Sequence, residues 1–375
     1  MLLFKIIIIL LNLYYCSLLL WYRFGWKRIQ KKHLEIIDNK RFSVIIAMRN
    51  EQENIPKCLQ SFLEIKYPKN DFEILIIDDH SDDKSIKNVQ KIISENPSFQ
   101  IRLLSLPTDK FGKKSAIAFG IENSQNEIIA CTDADCMVNP NWLTLLNVYF
   151  QENDTKMVTG PVSFFEEKNT WEKAQNLEFM GLVTIGAASL ELGVPGTCNG
   201  ANIAYRKQVF WDVNGYQNNE HIASGDDEFL MHKILLTGKN AVKFLKEKDA
   251  IVYTKAQENL SSFIHQRLRW VSKSTKYTLK KVTLILSFAY LYHLTFVALL
   301  IASFFNPIYI YWILVSLLLK MATELLFYAP ILEFYNRKKL IKLIPLIQPF
   351  YIFYILYIGL MGNIKNYNWK NRNLK

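Results

Sequence analysis

Asp133 and Asp135 end the run EIIACTDADC at residues 127–136. The apolar Ile128-Ile129-Ala130 before them reads as a buried strand carrying two carboxylates to its C-terminal edge. Side chains alternate along a strand, so residues two apart project to the same face. Two carboxylates so placed are hard oxygen ligands of the kind Mg²⁺ takes when it also holds substrate phosphates. Alone, the triplet is equally a polar turn that ends a strand. Other groups of the same chemical character recur along the chain: Arg49-Asn50-Glu51, Asp78-Asp79, Asp226-Asp227-Glu228, and QRLRW at 266–270.

The elements that must position these groups alternate between strand and helix. FSVIIA (42–47), FEILII (72–77), residues 101–106 and residues 127–131 read as strands. Helices are expected at 55–65, 84–94 and 112–121, the second capped by Ser81 or Asp82. Alternating βαβα with continuous apolar strands implies a mostly parallel sheet covered by helices. Ligands of such sheets bind at the carboxyl ends of the strands, where Arg49–Glu51, Asp79 and Asp133/Asp135 fall. No GxGxxG follows the first strand and no P-loop occurs, which disfavours a dinucleotide dehydrogenase or an ordinary kinase.

Composition places this domain at a membrane. Half of the 375 residues are hydrophobic, and 45 Lys and Arg face 34 Asp and Glu, a net charge of +11. The basic residues cluster beside long apolar runs, so they reflect membrane topology rather than nucleic-acid binding. Residues 2–22 suffice for one helical span, and they lack the small-residue cleavage site and basic n-region of a signal peptide. Arg23, Lys27, Arg28, Lys31 and Lys32 follow at once, so the next domain is expected to be cytoplasmic. Further apolar runs occupy about 283–305, 307–330 and 341–362. If the last run crosses, Lys365, Lys370, Arg372 and Lys375 lie outside, against the charge rule; Pro345, Gln348 and Pro349 near its start leave a broken or in-plane helix open. Lys320 and Glu324, one turn apart inside the third of the four runs, are either an intrahelical pair or groups facing a wet cavity. The five cysteines form no CxxC and no zinc spacing, as expected of reduced or packing residues.

The motifs resemble, in order, those of membrane-bound family-2 glycosyltransferases, the branch with cellulose, chitin, hyaluronan and poly-N-acetylglucosamine synthases. SVIIAMRNEQENI (43–55) is similar to the opening strand and its turn, and IIDDHSDD (76–83) to the nucleotide-binding turn. GKKSAIAFG (112–120) is similar to the GKxxALNxG helix, with Ala118 where Asn is common. DAD (133–135) matches the metal motif and GTCNGANIAYR (196–206) resembles the acceptor segment. GDDEFL (225–230) carries Asp226 for the usual Glu of the base motif, and QRLRW is an unmodified QxxRW. The resemblance covers roughly residues 42–270.

It implies a nucleotide-sugar-binding α/β domain of the GT-A type with one N-terminal and about three C-terminal transmembrane helices. The expected division is 1–22 membrane helix, 23–41 basic juxtamembrane segment, 42–255 catalytic domain, 256–281 amphipathic interface helix and 282–375 membrane region. It also implies Mg²⁺ or Mn²⁺ on Asp135, with Asp133 beside the donor sugar and phosphates. Asp79 and the Arg49, Asn50 and Glu51 turn would meet the nucleotide, and Lys113 would reach the nucleotide or its phosphates. Asp227 would be the general base, although an acidic run is also a favoured helix start. Gln266, Arg269 and Trp270 share one face of a helical stretch at 260–279. They would respectively hydrogen-bond a hydroxyl, neutralise the diphosphate and stack on an acceptor sugar; a membrane-surface helix with an Arg–Trp anchor is the plainer alternative. Cys198 and Asn199 would border the acceptor terminus, with packing the other reading of Cys198.

The implied function is inverting transfer from a UDP-sugar, at the cytoplasmic face of the plasma membrane, to a growing polysaccharide. Single-sugar addition to a lipid is the alternative, and an inactive membrane scaffold or transport subunit a minor one. The implied partners are a nucleotide sugar, a polysaccharide or lipid acceptor, membrane lipids, and a second copy or an export protein.

Overall fold

The computed structural model describes residues 2–32, 36–218, 225–272, 280–362, 364, 367–369 and 372–374. Helix α1 (Leu2–Arg28) runs six residues beyond the expected span. Lys27 and Arg28 therefore lie in its last turn, where cations complement the helix dipole.

Strand β1 (Phe42–Met48), helix α2 (Ile55–Leu63), β2 (Phe72–Asp78), α3 (Ser85–Glu95), β3 (Ile101–Ser105), α4 (Lys113–Asn123) and β4 (Ile128–Asp133) follow the expected alternation. Their strands pair in parallel in the order β3-β2-β1-β4. β1 and β2 are buried almost throughout, as continuous Val/Ile/Leu runs require. The register sets Ala47 beside Asp133 and Met48 beside Asp78, so the carboxylate-bearing ends share one edge. Neither Ser81 nor Asp82 caps α3, whose N-cap position is Lys84 with no side-chain cap bond; just ahead of it, Asp83 Oδ1 accepts from Ser85 N at 2.8 Å. Ser81 instead bonds Asn50 N through its hydroxyl, and Asp82 N donates to Asn50 Oδ1.

After α5 (Trp142–Phe150) come β5 (Met157–Thr159), β6 (Val162–Phe164), α6 (Thr170–Glu191), β7 (Ile203–Arg206), α7 (Lys207–Asp212), α8 (Asp226–Leu235), β8 (Val242–Phe244) and β9 (Val252–Thr254). β7, β5 and β8 complete a seven-stranded, mostly parallel sheet in which β7 runs antiparallel to β4 and β5. The reversal matters for the site. With Cys131 opposite Ile203, residues just before β7 fall beside the end of β4. β6 and β9 form a separate parallel pair.

Helix α9 (Leu260–Val271) carries QRLRW; residues 273–279 of the expected interface stretch lie outside the described residues. Helices α10 (Lys280–Ser303), α11 (Ile308–Phe334) and α12 (Leu343–Met361) follow, then a short hairpin, β10 (Tyr367–Trp369) and β11 (Arg372–Leu374). Among the described residues, four helical segments are long and apolar enough to cross a membrane: α1, α10, α11 and Lys338–Met361, which comprises a 3-10 turn and α12. α12 is continuous, with Pro349 inside it. Lys320 and Glu324 do pair along α11, and Gln348 of α12 and the Tyr15 hydroxyl of α1 close the cluster around them. Helix α6 is the seam between the two parts. Its Leu177, Met180 and Ala188 share a buried cluster with Trp26 of α1 and Phe327 and Phe334 of α11.

Candidate active site

Two adjoining hollows open at the carboxylate-bearing edge of the sheet. The smaller, about 110 Å³, is bordered by Arg49, Glu51 and Asp79; the larger, about 830 Å³, by Cys198, Asn199, Gly200, Asp226, Asp227, Gln266 and Trp270. Lys113, Asp133, Asp135 and Arg269 border both.

On the smaller side, the loops after β1 and β2 are laced together. The Arg49 guanidinium donates to the carbonyls of Asp79 and His80 at 2.6 and 2.8 Å, and Glu51 N donates to Ser85 Oγ at 2.7 Å. Asp79, 2% exposed, accepts from Gly112 N at 3.1 Å, which ties the start of α4 to the same turn. Asn50 does not reach the hollow; its side chain braces the loop through Asp82 N at 3.0 Å.

At the junction, Lys113 Nζ lies 2.6 Å from Asp133 Oδ1 and 3.4 Å from Asp226 Oδ2. Burial alone would depress this ammonium, but the Asp133 carboxylate, followed by Asp226, holds it charged to well above its ordinary range. Asp135 reaches the site by a different route from the one strand alternation implies. β4 ends at Asp133, and a turn closed by Cys136 N on Asp133 O at 3.0 Å swings Asp135 back. Ligand atoms of Asp133, Asp135 and Cys136 then lie within 4.8 Å of one another. The Cys136 thiol is buried and donates to Asp135 Oδ1 at 3.4 Å. Burial first, and then Asp135, push that thiol well up. What remains for a cation is carboxylate oxygen, a donor set that fits Mg²⁺ or Mn²⁺.

On the larger side, the reversed strand β7 brings Gly200 against the start of α8. Gly200 N donates to Asp227 Oδ2 at 2.7 Å, and Asp227 Oδ1 accepts from Glu228 N at 2.8 Å. A Cβ at Gly200 would sit 3.3 Å from both Asp227 Oδ2 and Lys113 Nζ, so any larger residue would press these side chains to give way by a few tenths of an ångström. Asn199 Oδ1 accepts from Ala201 N at 3.0 Å, shaping the same turn. Cys198 borders the hollow and also packs on the sheet core.

Sequence reading passed over Arg267 and Glu178. Arg267, 2% exposed, donates from Nε and Nη2 to Glu178 Oε2 at 3.1 and 2.7 Å. Its Nη1 donates to Gln266 Oε1, and its guanidinium lies 4.2 Å from the Trp270 ring centroid. Trp270 is also stacked on Phe179 at 5.7 Å. The pair thus fixes two residues of the QxxRW face from beneath. Arg267 stands inside that motif, but its partner lies 89 positions away, which no local signal reports.

Residues 43–213 match the family described as glycosyl transferase family 2. These residues are a family 2 glycosyltransferase domain. A poly-beta-1,6-N-acetyl-D-glucosamine synthase of Staphylococcus aureus is 28% identical over 247 residues, covering 64% of this chain and 56% of that protein. Glycosyltransferase AglE of Haloferax volcanii is 28% identical over 185 residues, 49% of this chain and 58% of its own. The chain therefore spans a little over half the length of these relatives. In fold, the glycosyltransferase domain and its helices resemble the mannosyltransferase PcManGT from Pyrobaculum calidifontis, solved with GDP-Man and Mn²⁺. The TM-score is 0.58 at 16% identity, over 92% of this chain and 99% of that one.

Proposed function

We propose that the chain is an inverting glycosyltransferase that moves a sugar from a UDP-sugar to a membrane-associated acceptor, a growing polysaccharide. The junction carries the reading: Lys113, Asp133, Asp135 and Arg269 border both the smaller hollow beside Asp79 and the large cavity that holds Asp227. Donor and acceptor would meet there.

In this reading Asp79 and the braced Arg49–Glu51 turn hold the nucleotide, with Asn50 supporting the turn. Asp135, with Asp133, holds Mg²⁺ or Mn²⁺, which when bound supplies Lewis-acid neutralisation of the donor's diphosphate. Lys113 and Arg269 place positive charge where the leaving diphosphate develops its own. Asp227 accepts the proton of the acceptor hydroxyl as that oxygen bonds the anomeric carbon. The bond from that carbon to the diphosphate breaks on the opposite side, and its electron pair leaves with UDP. A single displacement turns an α-linked donor into a β-linked product. The Gly200 N–H aims the Asp227 carboxylate, Gln266 bonds an acceptor hydroxyl, and Trp270, Cys198 and Asn199 border the acceptor. The basic residues in the last turns of α1 and just after it favour the cytoplasmic side of the plasma membrane for the glycosyltransferase domain.

A polymer product is supported by the name of the Staphylococcus relative. An export partner or a second copy would complete the path of such a chain. One observation favours single addition to a lipid instead: away from Asp227 the large cavity is walled by Leu18, Leu19, Leu182, Ile185, Leu286 and Ile347. Product analysis separates these readings. Purified protein supplied with UDP-sugars and membrane extract should yield β-linked product, as a ladder for the polymer and one added sugar for the lipid. An α-linked product would contradict the inverting mechanism.

A further inference from the structure

We propose that the last apolar helix, α12, does not cross the membrane. It lies in the leaflet next to the glycosyltransferase domain, with one face walling the large cavity and the other facing lipid.

The inference stands on where α12 touches that domain. Before its start, Arg337 Nε pairs with Glu167 Oε1 at 3.2 Å, and Lys248 Nζ donates to Asn336 Oδ1 at 3.0 Å. Leu340 and Ile344 then enter the buried cluster of Phe244 and Ile251. In its middle, the Tyr354 hydroxyl donates to Glu178 Oε1 on α6 at 2.7 Å. At its end, Ile358 packs on Leu268 of α9, and Gly362 abuts the Val271 side chain. Nineteen helical residues measure about 28 Å, close to the hydrocarbon thickness of about 30 Å. A crossing helix of that length would carry one end to the far surface. Here start, middle and end all meet the domain.

Direction agrees. α10 leaves the domain at Val282, which packs on Phe229. Farther out, Tyr290 meets Gly359, and His293 comes within 6.3 Å of Tyr351 between ring centroids. As α10 moves away from the domain, the α12 residues beside it fall in number, so α12 returns toward the domain at its C-terminal end.

The helix has two apolar faces of different use. Ile344, Gln348, Tyr351, Ile355 and Ile358 line the cavity. Leu346, Phe350, Phe353, Tyr357 and Leu360 form an exposed stripe at helical spacing. The Gln348 amide, which would be costly in hydrocarbon, is bonded to Lys320 and Glu324 of α11. The geometry also removes the charge conflict in the sequence. Lys365, Lys370, Arg372 and Lys375 follow α12, and Arg337, Lys338, Lys339 and Lys342 precede it; an in-plane helix puts both groups on one side.

Sidedness tests this without reference to catalysis. A short labelling tag is placed in three separate variants of the full chain: after Lys375, in the turn at 304–307, and in the loop at 96–99. Sealed vesicles of known orientation are then exposed to a membrane-impermeant reagent. The tag after Lys375 should react from the same side as the 96–99 tag, and the 304–307 tag from the other. Reaction of the tag after Lys375 from the 304–307 side, wholly or in major part, overturns the proposal. If the 304–307 tag reacts from the domain side, the membrane reading of α10 and α11 fails, and this proposal with it.

Discussion

Two lysine–carboxylate clusters, one at the sheet edge and one between the apolar helices, use the same chemistry to opposite ends. At the edge, Lys113 faces Asp133 and Asp226, with Asp135 and Asp227 bordering the same cavity. Carboxylates outnumber ammonium groups there, and the cluster opens onto two hollows. Between the helices, fully buried Lys320 meets one carboxylate, Glu324, and Gln348 and the Tyr15 hydroxyl fill the remaining bonds. That cluster is charge-balanced; Tyr15, Glu324 and Gln348 also border the large cavity, while Lys320 itself is fully enclosed. An excess of negative charge at an open edge fits the proposed cation and the phosphates it would hold. A balanced cluster in a low-dielectric interior fixes which helices touch. Similar residue types therefore separate into a proposed site and a clasp by their charge sum.

Substitutions can break or sharpen that contrast. The largest effect is expected at the open edge. Asp227→Asn should lower kcat by roughly 10²–10⁴-fold, the usual worth of a general base, while donor binding by titration calorimetry stays within a few-fold; lost binding would make Asp227 structural. Next comes the balanced cluster. Lys320→Met leaves Glu324 buried without its counter-charge, and breaking a buried pair costs about 3–5 kcal/mol. Its thermal unfolding temperature in detergent should drop clearly, and joint replacement of Lys320, Glu324 and Gln348 by Met, Leu and Leu should recover most of the loss. Equal losses in the single and triple variants would show that the cluster does more than clasp helices. Gly200→Ala pushes a methyl toward Asp227 Oδ2 and Lys113 Nζ, each 3.3 Å away. A misplacement of up to 1 Å costs up to about 10²-fold, so kcat/KM should fall roughly tenfold with the melting temperature little changed. The smallest effect is expected from Glu178→Gln. It keeps a hydrogen bond to Arg267 but loses the charge, so KM for the acceptor should rise a few-fold while KM for the donor holds.

Much of the open edge is legible in the amino-acid order alone, because parallel strands expose their carboxyl ends and Asp79 and Asp133 close two such strands. The balanced cluster is half legible. Lys320 and Glu324 are one turn apart and so can be paired on paper, whereas Gln348 and Tyr15 arrive from other helices. Three features of the edge escape for similar reasons. Asp135 is set by a turn rather than by strand alternation. Gly200 meets Asp227 only because β7 runs backward beside β4. Glu178 reaches Arg267 from α6, 89 positions away along the chain. The start of α3 shows how near a miss can be: Asp83, one residue past the expected candidates, accepts from Ser85 N. Local periodicity reports the elements, while convergence depends on tertiary pairing that no short stretch encodes.

The central claim is that the open edge binds a cation-held nucleotide sugar and transfers its sugar. UDP release by the purified full chain, measured across a panel of UDP-sugars with acceptor-bearing membrane extract, tests it most directly. At least one donor should release UDP. That release should stop with a chelator, return with Mg²⁺ or Mn²⁺, and be lost in Asp135→Asn. Release that persists through chelation and through Asp135→Asn would contradict the claim.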